Sequence, residues 1–394
     1  MSTYNTLTQL VPTQPNMNYE NFIEHFPSLE ILKTTPQDAF YHAEGDVWTH
    51  TKMVCNELIQ LPEYQDANDE SKFVMFYSAL LHDISKPACT KIEDDGRITS
   101  AGHSKRGCID VRIDLWKKEI PFDIRERICN IVATHQVPFF AFADSKGNKP
   151  QRTPEFIAHS LSHQLVLKEL ITVAKSDMLG RSYIKKQDCI DDISLFEELC
   201  KEQNCYDKPK EFPDLATKMA YFRSTGAISP DYPFFKEEGS HVIVLSGLPA
   251  SGKNSWIEKN YSDMPVVSFD DAKEELGISH GDNPGRAVHL VIDTAKQYLR
   301  EKKNFIFNAT HLSLQMRGKT VDLMFDYNAH VSIVYLEASE YEIKSRNNAR
   351  NSTLPNKKID EMLFKWEVPT SMEAHEVIFY PEHGMKNQKK KKII

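Results

Sequence analysis

One short stretch in the second half of the chain limits its fold more than any other part of the sequence. Residues 242–245 are apolar and predict a short buried strand, and they run into Gly247-Leu-Pro-Ala-Ser-Gly252-Lys253. The spacing Gly-x-x-x-x-Gly-Lys is that of a P-loop, whose glycines let backbone N–H groups wrap a phosphate chain at a helix N-terminus while the lysine reaches the outer phosphates. The stretch therefore predicts an α/β domain with a parallel sheet.

The same stretch predicts a binding site for ATP or another NTP, together with Mg²⁺. One position departs from the usual pattern, because Asn254 stands where a Ser or Thr hydroxyl normally binds the metal, and Ser255 comes one place later. An amide oxygen can still reach Mg²⁺, directly or through water. The predicted nucleotide-binding residues are Gly247, Ser251, Gly252, Lys253, Asn254 and Ser255.

Length, charge and cysteine content exclude several classes of protein for the chain as a whole. A chain of 394 residues is long enough for two or three domains with full hydrophobic cores, and its net charge of −8 argues against a protein that coats nucleic acid. The seven cysteines contain no Cys-x-x-Cys pair, which speaks against a disulfide scaffold or a zinc ribbon and fits a reducing compartment. No apolar run approaches the ~18 residues of a membrane span, so we expect a cytoplasmic protein without a membrane partner.

The first half of the chain places costly polar groups at the ends of apolar helices. His50 lies about one turn inside a predicted helix, and residues 73–81 form an almost wholly apolar predicted helix that ends in His82 and Asp83. A buried imidazole and a buried carboxylate need compensation, which a divalent cation would supply. Three more such groups lie on or beside apolar helical segments: His103, His135 and Asp177. The pattern predicts an all-α first half.

The order of these groups resembles the HD-domain phosphohydrolases. The sequence around these groups is most similar to the HD domains attached to bacterial tRNA nucleotidyltransferases, and the similarity covers roughly residues 40–185. The motifs that carry it are Glu-Gly-Asp-Val-Trp-Thr-His50, Leu-Leu-His82-Asp-x-x-Lys86-Pro, Gly-His103-Ser and Asp177-x-x-Gly-Arg181. The resemblance implies a metal-dependent phosphoesterase with Lys86 facing the substrate phosphate. It also implies one metal held by His50, His82, Asp83 and Asp177, and a second held by His103 and His135 with Asp83 bridging. Imidazole and carboxylate ligands suit divalent transition metals, and two ions are expected.

Two acids follow the P-loop helix at the end of a second predicted strand. Residues 265–269 lead into Asp270 and Asp271, and strand ends in a parallel sheet face the ligand. Such an acid could hold Mg²⁺ in a hydrolysing ATPase, or it could take the proton from an acceptor hydroxyl, and its position close behind Lys253 favours the base. Further strands are predicted at 304–308 and 331–337.

A pair of arginines follows the last of these strands. Arg346 and Arg350 lie four residues apart on one predicted helical face. An isolated pair of this kind is usually a solvated face, but in a P-loop protein it fits a lid whose positive charge stabilises the transferred phosphoryl group.

The second half resembles the P-loop polynucleotide 5′-kinases, through the P-loop, Asp270-x-x-Lys273, Asn308-Ala-Thr and Arg346-x-x-x-Arg350. The resemblance implies that Lys253 contacts the β and γ phosphates, that Asp270 is the base for a 5′-hydroxyl, and that the two arginines form the lid. Lys273 stands where the family has an arginine that grips the acceptor phosphate, so the charge is kept but the bidentate geometry is lost.

Over its whole length the chain resembles the bacterial HD-domain polynucleotide kinases. The predicted organisation is a phosphoesterase domain at 1–206, a proline-rich linker at 207–240 and a kinase domain at 241–394. The resemblance implies an enzyme that heals RNA or DNA ends: it removes 2′- or 3′-phosphates or opens 2′,3′-cyclic phosphates, phosphorylates 5′-hydroxyls, and prepares ends for a nucleic-acid ligase. Two alternatives stay open, a kinase of small nucleosides or metabolites fused to a nucleotide phosphohydrolase, and an NTP switch that gates the first domain.

Overall fold

The chain divides into two compact units, residues 1–211 and 212–394. The structure is a computed structural model, and it describes residues 2–14, 17–143, 152–235, 239–278, 283, 285–349 and 354–382. Among the helices of these residues, none has the length and apolar character needed to cross a lipid bilayer.

The first unit is helical. Its α-helices are α1 Thr3–Gln9, α2 Glu20–His25, α3 Val47–Leu58, α4 Pro62–Gln65, α5 Asp69–Leu81, α6 Lys86–Cys89, α7 His103–Lys117, α8 Phe122–Thr134, α9 Val137–Phe140, α10 Pro154–Ser162, α11 Leu167–Leu179 and α12 Lys186–Glu202. A 3₁₀ helix covers Pro27–Thr34. The departure from the predicted all-helical unit is a small antiparallel hairpin, formed by β1 Lys91–Ile92 and β2 Ile98–Thr99.

Helix α5 forms the centre of this unit. Every residue from Phe73 to Leu81 is buried, and α3, α8 and α11 pack against it. The side chain of Asn68 caps its first turn by accepting from the backbone N–H of Ser71. A helix that is apolar on all sides has to be covered on all sides, so the polar groups that follow Leu81 are carried into the interior.

The second unit is an α/β domain. Its helices are α13 Leu215–Arg223, α14 Lys253–Tyr261, α15 Phe269–Glu275, α16 Gly285–Arg300, α17 Leu314–Phe325, α18 Glu340–Asn348 and α19 Asn356–Leu363. Its strands are β3 His241–Ser246, β4 Val266–Ser268, β5 Phe305–Asn308, β6 His330–Glu337 and β7 Glu376–Pro381. They form one five-stranded sheet in the order β4-β5-β3-β6-β7, and every neighbouring pair is parallel.

The position of the inner strands within the sheet explains why their sequences are runs of apolar residues. Strands β3, β5 and β6 are covered on both faces, and their side chains are almost entirely buried. Parallel pairing brings the ends of β3, β4, β5 and β6 to one edge, where Ser268 pairs with Asn308 and Ser246 with Tyr335. This edge carries the loop that starts at Gly247.

Helix α13, which lies within the predicted linker, packs in the second unit. Met219 is 2% exposed and belongs to the core of the sheet domain. Nζ of Lys218 donates to the carbonyl of His375 over 2.8 Å, just before β7. Arg223 forms an ion pair with Asp322 of α17.

Candidate functional site

Six polar groups from five helices of the first unit meet at one buried point. His50 comes from the first turn of α3 and Asp177 from the last turn of α11, while His82 and His135 cap the C-termini of α5 and α8. His103 begins α7, and Asp83 follows His82. The measured contacts are His50 Nε2 to Asp177 Oδ1 3.1 Å, His82 Nε2 to Asp83 Oδ2 3.1 Å, His103 Nε2 to Asp83 Oδ1 3.2 Å and His50 Nε2 to Asp83 Oδ2 3.9 Å. We call these six residues the histidine cluster.

Backbone carbonyls fix the rings of three histidines of the cluster. Nδ1 of His82 lies 2.7 Å from the carbonyl of Ala79, and Nδ1 of His135 lies 2.9 Å from that of Val132. Nδ1 of His103 bonds a carbonyl in the same way over 2.8 Å. Because a carbonyl only accepts, Nδ1 must carry the proton, so in the neutral ring Nε2 presents a lone pair to the centre. This is the arrangement that metal-binding histidines adopt.

The centre of the histidine cluster requires positive charge. An Nε2 lone pair of His82 facing a carboxylate oxygen of Asp83 is repulsive unless a proton or a cation lies between them. Burial opposes a charged His82, but Asp83 outweighs it and raises the pKa of His82. Burial also opposes an ionised Asp83, but His82 and Lys86 hold its pKa well below the usual value. Burial and the neighbouring His82 lower the pKa of His135 to about 3, so that ring is neutral.

The donor set fits one or more divalent transition metals. Among the described residues, three groups of three possible ligand atoms lie within 4.8 Å of one another, and two of them belong wholly to the histidine cluster: His50, His82 and Asp177, and His82, Asp83 and His135. Apart from contacts with Asp83, no hydrogen-bond partner in the part of the chain that the structure describes meets Nε2 of His82 or Nε2 of His135. Buried polar atoms of this kind cost free energy when nothing binds them, and imidazole with carboxylate is a set that Mn, Fe, Co, Ni or Zn accepts.

Two buried cations line the cluster. Nζ of Lys86 lies 2.7 Å from Asp83 Oδ2 and donates to Oε1 of Gln37 over 2.6 Å. Arg181 donates two hydrogen bonds to Asp177, over 2.9 and 2.8 Å. Sequence reasoning gave Arg181 no role, although its place four residues after Asp177 on a helical turn could have indicated the pair. Both cations can bind the oxygens of a phosphate that enters the cluster.

A second residue without a predicted role is Glu44, which contacts the outer side of His50. Oε1 of Glu44 lies 2.9 Å from Nδ1 of His50 and 2.8 Å from Nδ1 of His42, and Oε2 accepts from the backbone N–H of Ser182 over 2.9 Å. Burial would raise the pKa of Glu44, but the contacts with His42 and His50 hold it well below the usual value. Glu44 therefore orients the ring of His50.

Glu44→Gln is expected to weaken metal binding by about 10- to 100-fold, the usual cost of losing a carboxylate behind a ligand histidine. Competition between the protein and a chelator of known affinity measures the effect. The matched control is Glu24→Gln, an exposed acid of α2, which should leave the affinity unchanged. Equal affinities for Glu44→Gln and wild type would contradict the assigned orientation.

In the second unit, the loop from Gly247 to Gly252 has the backbone of a phosphate cradle. Gly247 has φ +149°, and a Cβ there would lie 2.3 Å from the carbonyl oxygen of Leu336. Gly252 has φ +98° and caps α14. Nζ of Lys253 bonds the carbonyls of Gly247 and Leu248 over 2.9 and 2.8 Å, which places it across the mouth of the loop. Ser251 is buried within the loop.

The polar groups that face this loop come from the neighbouring strand ends. Oδ1 of Asn254 accepts from Nδ2 of Asn308, at the end of β5, over 2.9 Å. The strand that leads to Asp270 ends at Ser268, earlier than predicted, and Ser268 Oγ caps α15 by accepting from the N–H of Asp270. Asp270 lies in the first turn of that helix with its carboxylate 95% exposed, and Nζ of Lys273 lies 3.9 Å from its Oδ1. Asn254 and Ser255 are exposed at the start of α14.

The two predicted lid arginines differ in what the structure describes. Nη1 of Arg346 lies 3.9 Å from the position of a Cβ built at Gly252, beside the loop, and its Nη2 pairs with Glu342 over 2.8 Å. Arg350 lies outside the described residues.

Comparisons with known proteins match part of the chain. Residues 242–369 match the AAA domain family. The chain is similar to a bifunctional polynucleotide phosphatase/kinase of Schizosaccharomyces pombe, with 21% identity over 171 residues that cover 42% of this chain and 39% of that protein. It is also similar to a multifunctional CCA protein of Pasteurella multocida, with 29% identity over 101 residues that cover 26% of this chain and 23% of that protein. The chain thus spans less than half of the length of either relative.

A solved structure from Chloroflexus aurantiacus, described as an unconfirmed kinase, aligns with a TM-score of 0.31 and 17% identity, covering 37% of this chain and 87% of that one. The family match coincides with the strand, loop and helix that form the phosphate cradle. The second unit therefore contains a P-loop within a match to the AAA domain family, in a chain with similarity to a polynucleotide phosphatase/kinase.

Proposed function

We propose that the chain is a bifunctional enzyme of nucleic-acid ends. Its second unit would transfer the γ-phosphate of an NTP to a 5′-hydroxyl, and its first unit would remove a 2′- or 3′-phosphate or open a 2′,3′-cyclic phosphate. The observation that carries the proposal is the presence in one chain of two sites that share no residue, a P-loop with the backbone of a phosphate cradle and a buried histidine cluster with a donor set for divalent metals.

The kinase reaction is supported by groups at one edge of the sheet. The N–H groups at the start of α14 and the ammonium of Lys253 bind the phosphate chain of an NTP. Asp270 would accept the proton of the attacking hydroxyl, Lys273 would bind an acceptor phosphate, and Arg346 would offset the charge that develops on the transferred group. Because phosphoryl transfer depends chiefly on positioning and charge, these groups together with Mg²⁺ match what the reaction requires.

The phosphoesterase reaction is supported by the chemistry of the histidine cluster. Divalent metals held there would polarise a phosphate ester and supply a nucleophile at neutral pH. Lys86 and Arg181 lie beside Asp83 and Asp177, where they can bind the phosphate oxygens and orient the ester. The burial of the cluster excludes bulk water, which strengthens each of these contacts.

The exposure of Asp270 favours a polymer end over a small acceptor. An acceptor base that is 95% exposed can be approached by the end of a long chain, whereas a small metabolite kinase usually encloses its acceptor in a pocket. The name of the yeast relative supports the same substrate class.

The test uses a γ-labelled NTP with a 5′-hydroxyl oligonucleotide, and separately an oligonucleotide with a 3′-phosphate. Asp270→Asn is expected to lower label transfer by about 100- to 10,000-fold, the contribution of a general base, and to leave 3′-phosphate release intact. The matched control is Asp271→Asn, the next acid of the same helical turn, whose side chain points about 100° away.

Three other outcomes would overturn parts of the proposal. Full transfer by Asp270→Asn would show that the base is wrongly assigned. Transfer to free nucleosides that oligonucleotides do not compete with would favour the small-molecule kinase. Release of labelled phosphate without a labelled acceptor would favour the NTP switch.

A further inference from the structure

Three aromatic side chains form a cluster on the surface of the first unit. The ring centroids of Phe40 and Tyr41 lie 4.9 Å apart, and the Tyr183 centroid lies 5.8 Å from the Phe40 ring and 5.4 Å from the Tyr41 ring. Phe40 is 58% exposed and Tyr41 is 49% exposed, while Tyr183 is half-buried. We call these three residues the aromatic platform.

The two segments that carry the aromatic platform also carry residues of the histidine cluster and its surroundings. Gln37, which bonds Lys86, lies three residues before Phe40, so their Cα atoms are at most about 11 Å apart. Tyr41 is followed directly by His42, which contacts Glu44. On the other segment, Tyr183 lies two residues after Arg181. The aromatic platform is therefore a neighbour of the cluster along both segments.

Hydrogen bonds hold the aromatic platform in a fixed place. The N–H of Ala43 donates to the carbonyl of Ser182 over 3.3 Å, and the N–H of Ser182 donates to Glu44 over 2.9 Å, so the two segments are joined. The Asp38 carboxylate accepts from the N–H of Phe40 over 3.0 Å, and the Asp38 carbonyl accepts from the N–H of Tyr41 over 3.1 Å. Because the backbone of both segments is already ordered by these bonds, a ligand that binds the rings orders only their side chains.

The chemistry of the aromatic platform suits nucleobases. Exposed aromatic rings bind bases by stacking, and they do so without selecting a sequence because every base has a π-face. Lys185 is exposed two residues after Tyr183 along the chain, and a positive charge suits a phosphate backbone. Phosphate-binding groups inside the cluster and stacking groups next to it together match a nucleotide end.

We propose that Phe40, Tyr41 and Tyr183 bind the terminal bases of a single-stranded 3′ end while its phosphate enters the histidine cluster. This inference rests on the phosphoesterase part of the proposed function. It adds that the substrate is recognised by its bases as well as by its phosphate, and that the end must be unpaired, since paired bases stay stacked on their neighbours in the duplex and cannot splay onto the rings.

The experiment compares two 3′-phosphate oligonucleotides that differ only at the last two nucleotides, which carry bases in one and are abasic in the other. The wild type is expected to cleave the base-bearing oligonucleotide with a kcat/KM about 5- to 100-fold higher, mostly through KM. Phe40→Ala and Tyr183→Ala should remove most of this preference without changing cleavage of the abasic substrate. Tyr183→Phe keeps the ring and should retain the preference.

A binding readout separates stacking from catalysis. An oligonucleotide with 2-aminopurine at its terminus should lose fluorescence on binding to the wild type and to Tyr183→Phe, and lose much less on binding to Tyr183→Ala. The control is Phe235→Ala, which removes a 92% exposed ring of the second unit and should behave as the wild type in both assays.

The possible outcomes test base recognition separately from the proposed phosphoesterase activity. If the wild type releases phosphate from neither oligonucleotide, the proposed phosphoesterase is wrong and the inference falls with it. If the wild type cleaves both equally well, only the inference is overturned. If Phe40→Ala changes sedimentation from dimer to monomer while base preference is absent, the rings bind a second copy of the chain and the proposal is wrong.

Discussion

Asp83→Asn is expected to lower 3′-phosphate release more than 100-fold and to leave 5′-phosphorylation unchanged. Asp83 contacts His82 and His103 of the histidine cluster and the ammonium of Lys86, so its carboxylate connects the cluster to a buried cation. Asparagine has nearly the same shape but carries no charge, and one oxygen is replaced by a donor that repels cations. Because residues behind metal ligands typically contribute 10- to 100-fold, the loss of a direct ligand should exceed that range.

Phosphate release and bound metal are measured together on the same preparation. Metal content should fall with activity, and circular dichroism should remain that of a folded helical protein. Asp94→Asn, at an exposed position of the β1–β2 hairpin, is the matched control and should match the wild type. Normal metal content and normal phosphate release in Asp83→Asn would show that the histidine cluster is a structural arrangement of polar groups.

Gly247→Ala is expected to have the opposite effect to Asp83→Asn. It should lower 5′-phosphorylation by about 100-fold or more and retain 3′-phosphate release. A methyl group at this position would lie 2.3 Å from the carbonyl oxygen of Leu336 and 2.8 Å from Oγ of Ser251, so backbone must move. The φ of +149° is also unfavourable for alanine. A displacement of about 1 Å at a phosphate-binding loop is enough for a 100-fold loss, and the forced contact should destabilise the second unit by about 1–3 kcal/mol.

Label transfer and the affinity for NTP are measured, with thermal unfolding as the check on stability. Gly318→Ala serves as the control, because it adds a methyl within α17 where nothing lies within 4 Å, and alanine favours a helix. That variant should transfer phosphate normally. Wild-type NTP affinity in Gly247→Ala would mean that the loop does not bind the phosphates.

The first unit shows how far sequence alone reaches toward a buried site. Helical spacing and the polar ends of apolar segments were enough to select His82 and Asp83, because burying such groups has a cost that a sequence makes visible. The direction of each ring could not be predicted, since it depends on carbonyls at the ends of other turns, as with Ala79 and His82. The same is true of Glu44, whose role depends on tertiary contact with His50.

In the second unit, the P-loop is the most predictable feature, because local backbone geometry alone requires glycine at its two ends. The sequence did not indicate β7, although Val377-Ile-Phe-Tyr380 has the β-branched and aromatic residues of a strand. The placement of Asp270 in a helical turn also escaped prediction, because Ser268 is both the last residue of β4 and the cap of α15. One residue can end a strand and cap the next helix, and the spacing of apolar residues does not reveal this double role.

Helix α13 has a practical consequence for separating the two activities. Met219 fills part of the sheet domain's core. Nζ of Lys218 donates a hydrogen bond to the carbonyl of His375, which precedes the edge strand β7. A fragment that starts at residue 241 would begin at the first strand of the sheet, yet it would lose Met219 from the core and the hydrogen bond from Lys218 to the carbonyl of His375. A fragment that keeps the whole second unit therefore starts at residue 212, where the compact unit itself starts.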